Sequence, residues 1–101
     1  MPCRRSNSAG VHAIPIAETV IGGVLTLLRG IHIAIEQQRR RTWDKQPFVG
    51  EGSQLRELGD CRVLIVGTGG IGTAIARRLA PFGSRCIGIR RRPSLGAPPG
   101  F

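Results

Sequence analysis

Val63-Leu64-Ile65-Val66-Gly67-Thr68-Gly69-Gly70-Ile71-Gly72-Thr73-Ala74-Ile75-Ala76 is the stretch that decides the fold. Four apolar residues in a row, Val63 to Val66, predict a strand buried on both faces. Gly-x-Gly-x-x-Gly follows, and then apolar residues at helical spacing. In a dinucleotide-binding turn each glycine has its own task. Gly67 lets the chain leave the strand sharply, Gly69 lets backbone approach a pyrophosphate, and Gly72 lets helix pack on strand. The first N–H groups of a helix lack intrahelical acceptors, and the helix dipole favours an anion there. Residues 69 to 73 therefore offer a seat for a diphosphate. The glycine spacing alone is weak evidence. Between this strand and this helix it predicts dinucleotide binding, with Gly67, Thr68, Gly69, Gly70, Ile71 and Gly72 as the contacts.

Downstream, the helix presents Ile71, Ala74, Ile75 and Leu79 inward and Arg77 and Arg78 outward, and Pro81 and Gly83 stop it. Arg85-Cys86-Ile87-Gly88-Ile89 reads as a second strand, parallel to the first because a helix separates them. Residues 61–92 thus form a βαβ unit. The fold class is α/β, a partial Rossmann fold: the first β-α-β of a doubly wound parallel sheet. In such folds an acid about 20 residues past the glycines holds the adenosine ribose of NAD, whereas arginine suits the 2′-phosphate of NADP. Here Arg90, Arg91 and Arg92 follow the strand, and no Asp or Glu occurs after Asp60. A guanidinium pairs bidentately with phosphate where a carboxylate would repel it. The expected cofactor is NADP or NAD, with NADP favoured and Arg90 and Arg91 as its contacts.

Upstream, residues 1–13 read as coil or loop. Residues 14–43 read as one long amphipathic helix with Ile16, Val20, Val24, Leu27, Leu28, Ile31 and Ile35 on its buried stripe. Pro15 suits a first helical position, Glu18 suits the first turn, and Arg39, Arg40 and Arg41 suit the end. Glu18, Arg29 and His32 interrupt the apolar run, which argues against a membrane span. Gly22, Gly23 and Gly30 cost about 1 kcal/mol each inside a helix, and are expected where another backbone comes close. Residues 44–60 read as a surface loop and 93–101 as a C-terminal coil.

The chain has 101 residues and a net charge of +9, with Lys and Arg outnumbering Asp and Glu by 15 to 6. One thin-cored domain is the most this length allows. The arginines fall in small clusters, aromatics are scarce, and no helix-turn-helix, zinc-finger or RNA-binding signature appears; specific nucleic-acid binding is not expected. Cys3, Cys61 and Cys86 lack metal-ligand spacing and read as reduced structural thiols; no metal site is expected. No apolar segment with a cleavage site follows the basic start, so the expected location is cytoplasmic.

These residues resemble the D-isomer-specific 2-hydroxyacid dehydrogenases, a family that includes phosphoglycerate dehydrogenases and glyoxylate/hydroxypyruvate reductases. The likeness runs over residues 9–92: Gly10-Val11-His12, Ile16-Ala17-Glu18, Leu27-Leu28-Arg29-Gly30, Trp43, Glu57-Leu58-Gly59, then VLIVGTGGIGTAIARRLAPFG and CIGIRRRP. The resemblance implies that the long helix carries the chain from a substrate domain into the nucleotide domain, a helix that in this family often helps form a homodimer. It implies that Gly67, Gly69, Ile71 and Gly72 belong to the cofactor loop, and that Arg90 stands where NAD-dependent members usually have Asp. It also implies reversible hydride transfer between a nicotinamide ring and C2 of a 2-oxo acid. The family's substrate-binding arginine and its histidine–glutamate pair fall beyond this chain, so no catalytic residue is assigned. His12 and His32 do not replace them. The expectation is a nucleotide-binding fragment of such an enzyme, weakly stable alone because its sheet edges and one apolar face lack covering elements. The other reading is a small basic interaction protein that uses the long helix to bind a partner.

Overall fold

The computed structural model describes residues 8 to 67 and 69 to 89, with side chains from His12 onward. Helix α1 (Ser8–Arg29) is followed by α2 (Ile31–Arg39), a single turn α3 (Gln46–Val49), a 3-10 turn at Leu58–Asp60, strand β1 (Arg62–Val66), helix α4 (Gly70–Leu79) and strand β2 (Arg85–Ile89). β1 and β2 pair in parallel, with Val63 beside Cys86 and Ile65 beside Gly88. This is the α/β partial Rossmann arrangement read from the sequence: a long N-terminal helix, then one βαβ unit.

The segment limits differ from expectation upstream. The helix begins at Ser8, so residues 8–13 are helical and Pro15 lies inside α1. Proline lacks an N–H and interrupts the hydrogen-bond ladder there; the helix passes through it nonetheless. Nor does one helix reach residue 43. Gly30 adopts φ +71° and divides α1 from α2. The second helix ends at Arg39: the Arg41 N–H donates to the Gln38 carbonyl and the Thr42 N–H to that of Gln37, with Arg41 at φ +54°. That is a Schellman closure, with arginine in the position glycine usually takes.

The core is small and built largely of alanine. Ala13 and Ala17 of α1 join Ala74, Ile75, Ala76 and Leu79 of α4, with Leu58 and Ile65, in one buried cluster. Their short side chains let α1 and α4 approach closely. Ile21, Val24, Leu25 and Leu28 continue the line along α1. The expected stripe is therefore rotated: Ile16, Val20, Leu27, Ile31 and Ile35 are exposed, as is Ile71 of α4. An apolar surface this broad does not declare from spacing which of its sides meets the neighbour. By length and composition, His12–Arg29 could also cross a membrane; in this fold its alanine line packs on α4.

β1 is covered on one face only. Val63 and Ile65 pack toward α4, while Leu64 and Val66 are exposed, contrary to the expectation of burial on both faces. The accessible area is 7857 Å², against about 5,500 Å² for a folded monomer of this mass. The radius of gyration is 17.1 Å, against about 13 Å for a compact chain of this length. Cys61 and Cys86 are free thiols beside the core. Burial pushes the Cys86 thiol up from its ordinary value.

Candidate functional site

The glycine stretch forms the turn between β1 and α4. Gly67 has φ +93°, a left-handed conformation that glycine adopts without strain. Its N–H donates to the Ile89 carbonyl at 2.7 Å, so the end of β2 lies against the start of the turn. Gly69 is the N-cap of α4, with no side-chain cap. The first helical bond runs from the Thr73 N–H to the Gly69 carbonyl at 2.9 Å. The N–H groups of Gly70, Ile71 and Gly72 precede it, at the positive pole of the helix.

The three motif glycines stand in different surroundings. A Cβ on Gly72 would overlap the Gly67 carbonyl oxygen and come within 3.2 Å of Ile65 Cγ2. Here helix and strand are in backbone contact. A Cβ on Gly69 or Gly70 would meet nothing within 4 Å, so the mouth of the turn is open. The first turn of α4 holds no acidic residue, and its last turn holds Arg77 and Arg78. Neither end opposes the helix dipole.

Of the residues expected to bind cofactor, Gly67, Gly69, Gly70, Ile71 and Gly72 come together in this turn. Thr68, Arg90 and Arg91 lie outside the described residues. His12 and His32 are both exposed and far along the chain from the turn. His32 Nδ1 sits 3.1 Å from the Thr26 carbonyl, a local contact with no carboxylate partner. Among the described residues, no cluster of three His, Cys, Asp or Glu side chains could hold a metal ion. Two concavities, of about 590 and 760 Å³, are lined by α2, α3 and the segments around them, including His32, Trp43 and Phe48. Neither includes a residue of the glycine turn.

Gly30, expected at a backbone contact, instead meets side chains, and Gly59 meets a backbone that the sequence did not point to. A Cβ on Gly30 would lie 2.9 Å from Leu55 Cδ2 and 3.1 Å from Phe48 Cε1. One on Gly59 would lie 2.6 Å from the Phe82 carbonyl oxygen. Gly22 and Gly23, expected at a backbone contact, face open space.

Residues 21–97 match the family described as D-isomer specific 2-hydroxyacid dehydrogenase, NAD binding domain. The chain belongs to that family. Among curated relatives, the (S)-sulfolactate dehydrogenase of Chromohalobacter salexigens is 30% identical over 87% of this chain and 27% of its own length. A D-isomer specific 2-hydroxyacid dehydrogenase family protein from Aeromonas salmonicida subsp. salmonicida superposes with a TM-score of 0.70 and 31% identity, over 98% of this chain and 30% of that one. The NAD-dependent formate dehydrogenase of Staphylococcus aureus, solved in complex with NAD, gives a TM-score of 0.70 and 29% identity, over 78% of this chain and 23% of that one. The chain thus spans less than a third of the length of the curated relatives it matches. It is a segment of the NAD-binding domain of this 2-hydroxyacid dehydrogenase family, with the strand, glycine turn, helix and second strand in place.

Proposed function

We propose that this chain holds the diphosphate and adenosine end of a nicotinamide dinucleotide for a D-2-hydroxyacid dehydrogenase or 2-oxoacid reductase. The observation that carries the reading is the turn itself. Its N–H groups at Gly70, Ile71 and Gly72 precede the first helical bond, and its mouth is open at Gly69 and Gly70. The main chain of Gly67, Thr68, Gly69, Gly70, Ile71 and Gly72 contacts the diphosphate. When bound, the cofactor supplies the hydride exchanged with C2 of a 2-oxo or 2-hydroxy acid. This chain contributes binding and orientation and no proton-transfer group.

NADP is the favoured cofactor. Arg90 follows Ile89, whose carbonyl is bonded to Gly67, and no Asp or Glu occurs between there and Phe101. Arg90 and Arg91 pair with the 2′-phosphate. Calorimetric titration of the chain with NADPH and NADH tests both parts. Binding of NADPH at least tenfold tighter than NADH is expected; a tenfold preference for NADH rejects the arginine assignment, and no binding of either rejects the turn.

A homodimer through α1 and α2 belongs to the same reading, supported by the exposure of Ile31, Ile35 and Trp43. These residues also support the reading as a small basic interaction protein. Gly69→Val separates the two, since it removes dinucleotide binding and leaves association through α1 and α2 intact. The cytoplasm, where thiols such as Cys61 and Cys86 stay reduced, is the compartment we assign.

A further inference from the structure

The arginine run after β2 has one member more than the dinucleotide reading uses. Arg90 and Arg91 are the contacts proposed for a 2′-phosphate, and Arg92 follows them unassigned. Arg90 comes directly after Ile89, whose carbonyl accepts the Gly67 N–H at 2.7 Å, so the run starts one peptide beyond a residue bonded to the glycine turn. Folds of this type read the adenosine ribose about 20 residues past the glycines. No Asp or Glu stands anywhere between Gly67 and Arg92 to do so.

A carboxylate in that position selects a ribose whose hydroxyls are free, because it accepts hydrogen bonds from them and repels a phosphate on either. Without it, a 3′-phosphate escapes the penalty as fully as a 2′-phosphate does. The two oxygens sit on adjacent ribose carbons, and each guanidinium brings five donors on a long rotatable stem. Successive side chains point different ways in helix and in strand alike. Three consecutive arginines therefore spread their charge along a ribose edge instead of converging on one oxygen. Such a pattern detects an extra phosphate and leaves its position unread. The diphosphate has the same seat in either case, on the N–H groups of Gly70, Ile71 and Gly72, which precede the first helical bond at Thr73. A Cβ on Gly69 or Gly70 would meet nothing within 4 Å, so no described residue walls the mouth of the turn against a substituent other than nicotinamide riboside.

We propose that the glycine turn and the arginine run take a second class of ligand, the 3′-phosphorylated adenosine diphosphate esters (coenzyme A and its thioesters), in competition with NADPH. The proposal rests on the dinucleotide reading above, since the diphosphate uses the same seat. Arg90, Arg91 and Arg92 pair with the 3′-phosphate, and the pantetheine arm leaves by the mouth at Gly69 and Gly70. No covalent bond is made or broken. Coenzyme A bound there excludes the nicotinamide cofactor, and so holds back hydride transfer when thioesters are abundant.

Calorimetric titration of the chain with two matched pairs tests this. One pair is coenzyme A and dephospho-coenzyme A, which lacks only the 3′-phosphate; the other is NADPH and NADH, which lacks only the 2′-phosphate. Coenzyme A binds about tenfold or more tighter than its dephospho form, and that ratio matches the NADPH-to-NADH ratio within about threefold. Saturating NADPH abolishes the coenzyme A isotherm. R90A/R91A/R92A brings both ratios close to one, whereas R39A/R40A/R41A, an equal loss of charge elsewhere, leaves them unchanged. Equal affinity for coenzyme A and its dephospho form, or coenzyme A binding that NADPH does not displace, overturns the proposal. If NADPH is still preferred over NADH in that case, the dinucleotide reading stands without it. A fall in the coenzyme A ratio as large in R39A/R40A/R41A as in R90A/R91A/R92A also overturns it. Binding of none of the four compounds overturns both readings.

Discussion

Gly72 and Gly22 are the same residue inside helices of the same chain, yet their surroundings are opposite. At Gly72 the α4 backbone lies so close to the end of β1 that a Cβ would strike the Gly67 carbonyl oxygen. At Gly22 a Cβ would meet nothing. A glycine's cost inside a helix is the same in both places; only at Gly72 does the fold receive something in return. Substitutions along the two helices turn this contrast into measurements. The largest effect belongs to Gly72→Val. Overpacking against main chain that cannot move aside destabilises by about 3 kcal/mol or more, so the thermal transition collapses and nucleotide binding goes with it. A variant that melts like the parent breaks the comparison at its root.

Gly69→Val comes next and separates space for folding from space for ligand. With nothing within 4 Å of its Cβ, the variant keeps the parent's melting temperature. Affinity for NADPH falls at least tenfold, about 1.4 kcal/mol, because the side chain fills the mouth of the turn. An unchanged calorimetric isotherm contradicts this. Gly30→Ala follows, through φ +71° and the crowding by Leu55 and Phe48. A left-handed alanine costs about 1–2 kcal/mol, read as a lower midpoint in urea, with amide exchange accelerating first around residues 28–33. Smallest and opposite in sign is Gly22→Ala, which stabilises by up to about 1 kcal/mol. A fall in the midpoint for that variant means that another surface packs on α1 at this point.

The βαβ unit was legible because its signals are local and agree with one another: apolar run, glycine spacing, helical periodicity, stop residues and a second apolar run. The arrangement within the turn was legible for the same reason, down to Gly72 as the point of helix–strand contact. The N-terminal helix was less so. Pro15 marks a start by preference, but preference is a weak force beside the continuous helix from Ser8. The division at Gly30 depends on Phe48 and Leu55, which lie 18 and 25 residues away, and no window of local periodicity contains them. The orientation of α1 turned on Ala13 and Ala17, small residues that a search for large apolar side chains passes over. The bare faces of Leu64 and Val66 follow from what the chain does not bring to the sheet, which a run of four apolar residues does not reveal.

The bond from the Gly67 N–H to the Ile89 carbonyl joins the first residue of the turn to the last residue of β2. It carries the parallel ladder of β1 and β2 one residue past Val66 and so helps hold their register. Sliding β2 by one place would send Arg85, Ile87 and Ile89 to the α4 side and bring Cys86 out into water. The same slip would pull the residue after the strand one peptide out of step with the glycines. On the proposed reading, selection of the adenosine end is thereby geared to the loop proposed to hold the phosphates, through the backbone bond at Gly67.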